Sequence, residues 1–342
     1  MDVQQLEQTA NALVAKGRGV LAADESMGTI GSRFKAVGIE STEESRRDYR
    51  ELLLTTPNIS EYLSGVILFD ETLRQNASDG EPFAQKLREN GIIPGIKVDA
   101  GAKDMALAPG EKVTEGLDGL RERLAEYRGL GARFAKWRAV ITIGDSIPST
   151  RCIESNAEAL ARYAALCQEA DIVPIVEPEV LIDGDHSIER CAEVTEATLH
   201  ATFNAVLRHR VYLKGLLLKP NMVISGKGCS VQADIEQVAV ATVECLLRTV
   251  PAALAGVVFL SGGQGDQQAT AHLNAMHRTY PNLPWALTFS YARALQDLAM
   301  KTWAGKAENV EAAQQVFAHR ARLNAAASQG EYNEAMEQRT AA

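Results

Sequence analysis

The sequence predicts an α/β protein in which residues 1–342 form a single closed (β/α)8 barrel with an extra helix at each end. Two observations favour this fold. Eight short apolar runs alternate with longer segments of helical periodicity, and such runs are typical of parallel strands that are covered on both faces. A length of 342 residues suits one barrel, and no repeat or linker divides the chain.

The predicted strands are the apolar runs, each of four to nine residues. They span 19–23, 65–69, 92–98, 133–141, 172–176, 215–218, 256–260 and 285–289. The segments between them carry helix signals. Ser41 and Glu44 have the spacing of a capping box, and Asp234 precedes an amphipathic run as an N-cap. Helical segments at 1–16 and 308–327 flank the barrel.

Composition excludes several classes of protein. The net charge is −9 with no concentrated basic segment, so we expect no nucleic-acid partner. No apolar run approaches the length of about 18 residues that a membrane span needs, and the N-terminal segment lacks the pattern of a signal peptide. The five cysteines are odd in number and lack C-x-x-C spacing, which indicates reduced thiols in a cytoplasmic protein without a metal site.

Ionisable side chains follow most of the predicted strands. In barrels of this kind the active site lies at the carboxyl ends of the strands. Three strands carry two charges two residues apart, at 97 and 99, 136 and 138, and 177 and 179. Residues two apart point to the same face of a strand, and we expect this face to be the barrel mouth because the other meets apolar helices. Pro178 and Pro220 indicate that two strands end there.

A glycine-rich loop follows the seventh predicted strand, and the expected start of a helix follows the eighth. Ser261, Gly262 and Gly263 form one loop, and Ser290 and Arg293 lie in the next. Barrels commonly bind phosphate at these two loops, because glycine backbone N–H groups and a helix N-terminus both favour an anion. We expect Ser290 to cap a helix and Arg293 to lie one turn inside it.

Lys219 follows three leucines at the end of a predicted strand. An amine must be neutral to attack a carbonyl, and burial and neighbouring cations both depress the pKa of a lysine. A Schiff base on such a lysine would withdraw electrons from an adjacent carbon bond, and the carboxylates of Asp24, Glu177 and Glu179 would move the protons. Lys136 has a nearly equal claim to be the nucleophile, and spacing alone does not choose between the two lysines.

The motifs at these strand ends resemble those of class I fructose-1,6-bisphosphate aldolases. They are, in order, "LAADES", "GVILFDETL", "GIKVD", "FAKWR", "IVPIVEPE", "LLKPNMV", "FLSGGQ" and "PWALTFSYARAL". The resemblance extends over nearly the whole chain, from about residue 18 to 330. It implies a (β/α)8 TIM barrel, usually in a cytoplasmic homotetramer, that needs no metal and no other cofactor.

The resemblance also implies a mechanism. Lys219 would form the Schiff base with the ketone carbon of the phosphorylated sugar, with Glu177 as the acid and base for the carbinolamine. Glu179 and Lys136 would assist, and Asp24 would take the proton of the C4 hydroxyl as the C3–C4 bond breaks. The residues implied to bind substrate or its phosphates are Ser26, Thr29, Arg33, Lys97, Arg138, Ser261, Gly262, Gly263, Ser290 and Arg293.

Three positions depart from the family pattern. Ser32 stands where animal members have a substrate-binding lysine, which leaves preference for a bisphosphate over a monophosphate open. Ala292 replaces a glycine, and the expected flexible tail, about 331–342, lacks a terminal tyrosine, although Tyr332 lies ten residues from the end.

Two alternatives stay open. One is a Schiff-base lyase acting on another phosphorylated sugar, such as fructose 1-phosphate. The other is a scaffold or binding protein with residual activity. A zinc-dependent aldolase is not expected, because the six histidines are dispersed and none lies at a strand end beside another.

Overall fold

The computed structural model describes residues 1–338, in which eight parallel strands close into a barrel. The strands are β1 (Gly19–Ala23), β2 (Leu63–Leu68), β3 (Ile93–Lys97), β4 (Ala102–Asp104), β5 (Lys112–Thr114), β6 (Phe134–Ile141), β7 (Val173–Val180), β8 (Leu217–Leu218), β9 (Gly256–Phe259) and β10 (Ala286–Tyr291). The barrel order is β1, β2, β3, β6, β7, β8, β9 and β10, which pairs with β1 again. Strands β4 and β5 form a separate antiparallel pair.

Helices surround the barrel, with one additional helix before the first strand and another after the helix that follows the last strand. They are α1 (Val3–Leu13), α2 (Met27–Ala36), α3 (Glu43–Leu54), α4 (Asp70–Arg74), α5 (Phe83–Glu89), α6 (Leu120–Gly129), α7 (Thr150–Glu169), α8 (Ile188–Arg208), α9 (Ile235–Thr249), α10 (Asp266–Thr279), α11 (Arg293–Trp303) and α12 (Val310–Ala327). The predicted fold class is therefore confirmed, including the helices before the first strand and after the last. None of the helices within residues 1–338 is long and apolar enough to cross a membrane.

The start of α3 differs from the prediction. The capping box joins Thr42 and Ser45, whose side chains each accept a hydrogen bond from the other's backbone N–H. The predicted box from Ser41 to Glu44 was wrong by one residue, because a short serine hydroxyl at the third helical position serves as well as a glutamate. The N-cap at Asp234 is confirmed, and its side chain accepts from Gln237 N.

Pro178 does not end a strand as predicted, since β7 continues to Val180. Val176 O accepts from Lys219 N at 2.8 Å, and Val180 N donates to Asn221 Oδ1 at 2.9 Å. The backbone groups of alternate residues of β7 therefore face the side of β8. Strand β8 has ended at the level of Pro178, so the N–H that proline lacks would have no strand to bond there.

The lower part of the barrel interior is filled by apolar side chains and closed by α1. We call this cluster the barrel floor; it consists of Leu6, Ala10, Leu13, Val14, Val20, Ala22, Ile67, Phe134, Val173, Ile175, Leu217 and Val258. Glycines let the closing segment approach the strands. A Cβ on Gly65 would lie 2.6 Å from Leu13 Cδ2, and one on Gly256 would lie 2.7 Å from Val14 Cγ1.

The C-terminal residues pack against α12 as far as they are described. The turn Glu334–Gln338 follows Tyr332, whose ring is buried and whose hydroxyl donates to Glu337 at 2.9 Å. Arg320 donates two hydrogen bonds to the same carboxylate. Residues 339–342 of the predicted flexible tail lie outside the described part of the chain, and its flexibility stays a prediction.

Candidate active site

Four of the predicted catalytic side chains meet at the carboxyl ends of the barrel strands. Lys136 is at the centre: its Nζ lies 2.8 Å from Asp24 Oδ2 and 3.1 Å from Glu177 Oε2. The other oxygen of Glu177 lies 3.2 Å from Lys219 Nζ. All four residues are between 3% and 8% exposed, so their charges are withdrawn from water and interact strongly.

Strand register explains why these residues meet. Lys136 in β6 and Glu177 in β7 each lie two residues beyond a floor residue, Phe134 and Ile175, and therefore point to the same interior. Lys219 directly follows β8 and is fixed by its backbone hydrogen bond to β7. The expectation that alternate residues point inward from these strands agrees with the contacts.

Mutual pairing sets the charge states of this group. Burial raises the pKa of Asp24, but the ammonium groups of Lys136 and Lys219 outweigh it and lower the pKa to about 2. Burial likewise raises the pKa of Glu177, and the same two lysines lower it below its ordinary value. Burial lowers the pKa of Lys136, but Asp24 and Glu177 raise it above the ordinary value. Lys136 is thus a cation between two carboxylates at neutral pH.

The two lysines differ in their carboxylate partners. Lys136 contacts Asp24 and Glu177, whereas Lys219 makes its one ion pair within residues 1–338 with Glu177, which it shares with Lys136. An amine held by two carboxylates is less free to reach a ligand than an amine that shares a single carboxylate. The geometry therefore favours Lys219 over Lys136 as the nucleophile.

Glu179 lies apart from the catalytic group. Its carboxylate accepts a hydrogen bond from Arg138 Nε rather than contacting either lysine. Burial lowers the pKa of Arg138, and Glu179 outweighs it and raises that pKa. The Arg138 side chain is 43% exposed at the barrel mouth. Lys97 Nζ lies nearby on the rim, 2.7 Å from Asp99 Oδ1.

Arg33 points to a buried carboxylate that sequence reasoning missed. Its guanidinium pairs with Glu25, which also pairs with Arg50 at 2.6 Å and accepts from Gln296 Nε2 at 3.0 Å. The available signal was the position of Glu25 directly after Asp24. Arg33 is therefore held by the protein itself rather than left free for a ligand.

Two further residues that were expected to bind a phosphate, Ser26 and Thr29, lie at the N-terminus of α2. Ser26 is the N-cap of α2, and its hydroxyl lies 3.1 Å from that of Thr29. Ser32, further along α2, donates to Gly28 O at 2.9 Å and so bonds within its own helix.

The loop after β9 has the geometry of an anion site. Gly262 and Gly263 have φ values of 57° and 85°, in the left-handed region that favours glycine. Ser261 is buried beside them. Within residues 1–338 the N–H groups of Gly262 and Gly263 donate to no acceptor.

The prediction that Ser290 caps a helix is wrong. Strand β10 continues to Tyr291, so Ser290 lies inside the strand and Ala292 is the N-cap of α11. Arg293 is consequently the first residue of α11 and not one turn inside it. The Ser290 hydroxyl is buried and has no hydrogen-bond partner in the described part of the chain, which leaves it available to a ligand.

Sequence reasoning also missed Lys227, in the loop after β8. A Cβ placed on Gly263 would lie 3.0 Å from Lys227 Nζ and 3.1 Å from Arg293 Nη2. No motif drew attention to this lysine, because it is remote in sequence from both the β9 and β10 loops.

The donor set favours covalent chemistry on a carbonyl. Across residues 1–338 no group of three or more His, Cys, Asp and Glu side chains could hold a metal ion. The site instead offers a lysine amine, a shared carboxylate for proton transfer, and cationic or glycine-rich loops on either side for anions. Such a set suits a ketone that carries phosphate groups.

Comparison with known proteins identifies relatives over nearly the full length. A family model described as fructose-bisphosphate aldolase class-I matches residues 5–342. A probable class 1 fructose-bisphosphate aldolase of Xanthomonas campestris is 61% identical, with 97% of this chain and 99% of that protein covered. The fructose-bisphosphate aldolase of Dictyostelium discoideum is 54% identical over 96% of this chain and 92% of its own.

A solved structure is similar as well. It is a fructose-bisphosphate aldolase from Plasmodium falciparum, in complex with TRAP and a small-molecule inhibitor. The TM-score is 0.95 at 49% sequence identity, covering 96% of this chain and 95% of that one.

Proposed function

The chain belongs to the class-I fructose-bisphosphate aldolase family, whose reaction is one of glycolysis, and we propose that it works through a Schiff base on Lys219. As a carbon–carbon lyase it cleaves fructose 1,6-bisphosphate reversibly into dihydroxyacetone phosphate and glyceraldehyde 3-phosphate. The observation that carries the proposal is the shared carboxylate, Glu177, with Lys219 on one oxygen and Lys136 on the other.

In the first half of the reaction the Lys219 amine attacks the C2 ketone of the sugar. Glu177, ionised and 3.2 Å from Nζ, takes a proton from the Lys219 ammonium and gives it to the ketone oxygen as the carbinolamine forms. It then takes a second proton from the same nitrogen and gives it to that oxygen, which leaves as water. The product is an iminium ion on Lys219. Lys136 stays protonated between its two carboxylates and keeps Glu177 in place.

In the second half the C3–C4 bond breaks. Asp24 is ionised, because Lys136 lowers its pKa, and it accepts the proton of the C4 hydroxyl. The bonding electrons pass to the iminium nitrogen and leave an enamine, and glyceraldehyde 3-phosphate departs. Protonation and hydrolysis of the enamine then release dihydroxyacetone phosphate and restore Lys219.

The two phosphates are assigned by their distance from the ketone. Leu260 N donates to Pro220 O at 3.1 Å, so the loop from Ser261 to Gly263 begins beside Lys219. The C1 phosphate is on the carbon next to the ketone and therefore binds to this loop, to Arg293 and to the free hydroxyl of Ser290.

The C6 phosphate lies further from the ketone and binds to the hydroxyls of Ser26 and Thr29 and to the ammonium of Lys97. Arg138 on the rim contacts the substrate between the two phosphates, and Arg33 supports the C6 end through its pairing with Glu25.

Further properties are part of the same proposal. An iminium ion supplies the electron sink, so the reaction needs no metal and no other cofactor. A glycolytic role and the five free cysteines favour the cytoplasm. The likeness to the family favours a homotetramer built from single-domain subunits, which sedimentation equilibrium would test.

Triose phosphate release tests the proposed reaction. Fructose 1,6-bisphosphate should be cleaved with a higher kcat/KM than fructose 1-phosphate, and a chelator should leave the rate unchanged. Borohydride should inactivate the enzyme when substrate is present and not when it is absent. Loss of activity with the chelator and recovery with zinc would overturn the proposed mechanism.

A further inference from the structure

Two cations from different loops converge on Gly263. Lys227 Nζ and Arg293 Nη2 lie 3.0 Å and 3.1 Å from the same point, the position that a Cβ on Gly263 would occupy. Lys227 comes from the loop after β8 and Arg293 from the start of α11. Like charges brought this close repel one another unless an anion lies between them.

Neither cation is well neutralised by the protein. Arg293 makes no ion pair and no side-chain hydrogen bond within residues 1–338. Lys227 has a partner in Asp183 at 3.4 Å, but these side chains are 49% and 70% exposed, so the pair contributes little in water. The free N–H groups of Gly262 and Gly263 add two more donors at the same place.

The backbone of Lys227 is fixed by hydrogen bonds to the loop after β7. Lys227 N donates to Ile182 O at 2.9 Å, and its neighbours bond to His186 O and Gly184 O, each at 2.8 Å. A Cβ on Gly226 would lie 2.5 Å from Gly184 O, so this close pairing requires glycine directly before Lys227. The lysine is thus placed over Gly263 by a constrained loop rather than by a free one.

We propose that Lys227 binds the C1 phosphate of the substrate together with Arg293 and the glycine loop. The inference rests on the proposed function and adds to it a group eight residues beyond the Schiff-base lysine. On ligand binding the ammonium exchanges its weak contact with Asp183 for a phosphate oxygen. Lys227 then sets affinity for ligands phosphorylated next to the ketone and leaves the C6 end unaffected.

Substitution of Lys227 tests the proposal. For Lys227→Gln we expect an increase of about tenfold in KM for fructose 1,6-bisphosphate and an equal factor for fructose 1-phosphate, because both carry the C1 phosphate. The concentration of dihydroxyacetone phosphate that half-saturates borohydride trapping should rise by the same factor. Lys227→Arg should stay within about threefold of the wild type, since it keeps the charge.

The matched control is Lys214→Gln. Lys214 is 58% exposed, pairs with Glu7 at 3.5 Å, and lies before β8 at the opposite end of the barrel. The Lys214→Gln substitution should leave both KM values and the half-saturating concentration of dihydroxyacetone phosphate unchanged. If Lys227→Gln also leaves them unchanged in an enzyme that cleaves fructose 1,6-bisphosphate, the inference is wrong and the proposed function stands. A rise in KM for fructose 1,6-bisphosphate without a rise for fructose 1-phosphate would show that Lys227 acts on the C6 phosphate, and the assignment to the C1 phosphate would be wrong. A wild-type enzyme without cleavage would instead refute the proposed function.

Discussion

The two ends of the barrel interior are built from the same strands but have opposite character. In β6 the inward side chain changes from Phe134 to Lys136, and in β7 it changes from Ile175 to Glu177. Two residues further along each strand, the interior thus changes from apolar packing to buried charge. The floor can be packed without polar partners, whereas each charge above it requires a partner, because unpaired buried charge is costly.

The difference separates stability from chemistry. The floor residues and α1 contribute burial of apolar surface, while the charged group contributes an arrangement in which every ionised side chain has a counter-ion. A rigid support of this kind holds catalytic side chains within the small tolerance that chemistry allows. Mutations at the two ends should therefore have separable effects.

The largest expected effect is at Asp24. Asp24→Asn removes the base that accepts the C4 hydroxyl proton, and we expect kcat to fall by about 10²- to 10⁴-fold. Trapping of dihydroxyacetone phosphate by borohydride should persist, since Lys219 and Glu177 remain. The control is Asp104→Asn, the same change at a side chain that is 92% exposed. An Asp24→Asn enzyme with near-normal kcat would remove Asp24 from the mechanism.

The next effect is at the floor. Leu13→Ala removes a fully buried side chain that closes the barrel, and we expect the free energy of unfolding to fall by about 2–5 kcal/mol. At temperatures where the variant stays folded, kcat should remain within about twofold of the wild type. Leu107→Ala, at a residue that is 93% exposed, serves as the control for denaturation measurements. A variant that is fully stable but inactive would contradict the separation of the two ends.

A smaller effect is the pH dependence that Asp24 gives to stability. Its pKa falls from the ordinary 3.8 to about 2 on folding, so the ionised form stabilises the folded state. This contribution, about 2 kcal/mol, is present above pH about 4 and is lost as the pH falls through about 2. Denaturation of the wild type and Asp24→Asn should show a difference at pH 6 that narrows at pH 3. If the difference in the free energy of unfolding were larger at pH 3 than at pH 6, folding would not lower the pKa of Asp24 as stated.

The smallest effect is at Ser290. Its buried hydroxyl has no partner within residues 1–338, so Ser290→Ala should change the free energy of unfolding by less than about 0.5 kcal/mol. If the hydroxyl binds the C1 phosphate as proposed, KM should rise by about three- to tenfold. Thr288→Ser, two residues earlier on the same strand and bonded to Arg18 O, provides a control that keeps its hydroxyl. A large loss of stability in Ser290→Ala would indicate a structural role instead.

Properties of single strands could be predicted from the sequence. Apolar runs located all eight barrel strands, and a spacing of two placed Lys136 and Glu177 on the interior because side-chain direction alternates along any strand. Residue spacing alone did not choose between Lys136 and Lys219 as the nucleophile, since the choice depends on the contacts that each amine makes with Glu177 and its neighbours. Those contacts join three strands that are far apart in sequence.

Properties of loops and strand ends were harder to predict. Ser290 was expected to cap a helix, but β10 runs on to Tyr291, and strand ends follow from pairing with neighbours rather than from local composition. Lys227 and Gly263 meet only because two loops fold over the same end of the barrel. The single-domain organisation and the tetramer stay predictions.

The most direct test of the central claim is to identify the lysine that bonds to the sugar. The enzyme is incubated with fructose 1,6-bisphosphate, reduced with borohydride, digested and mapped by mass spectrometry. The adduct should be on Lys219, should be absent from Lys219→Ala, and should still form in a slower Lys136→Ala enzyme. An adduct on Lys136, or none on Lys219 in an active enzyme, would contradict the account.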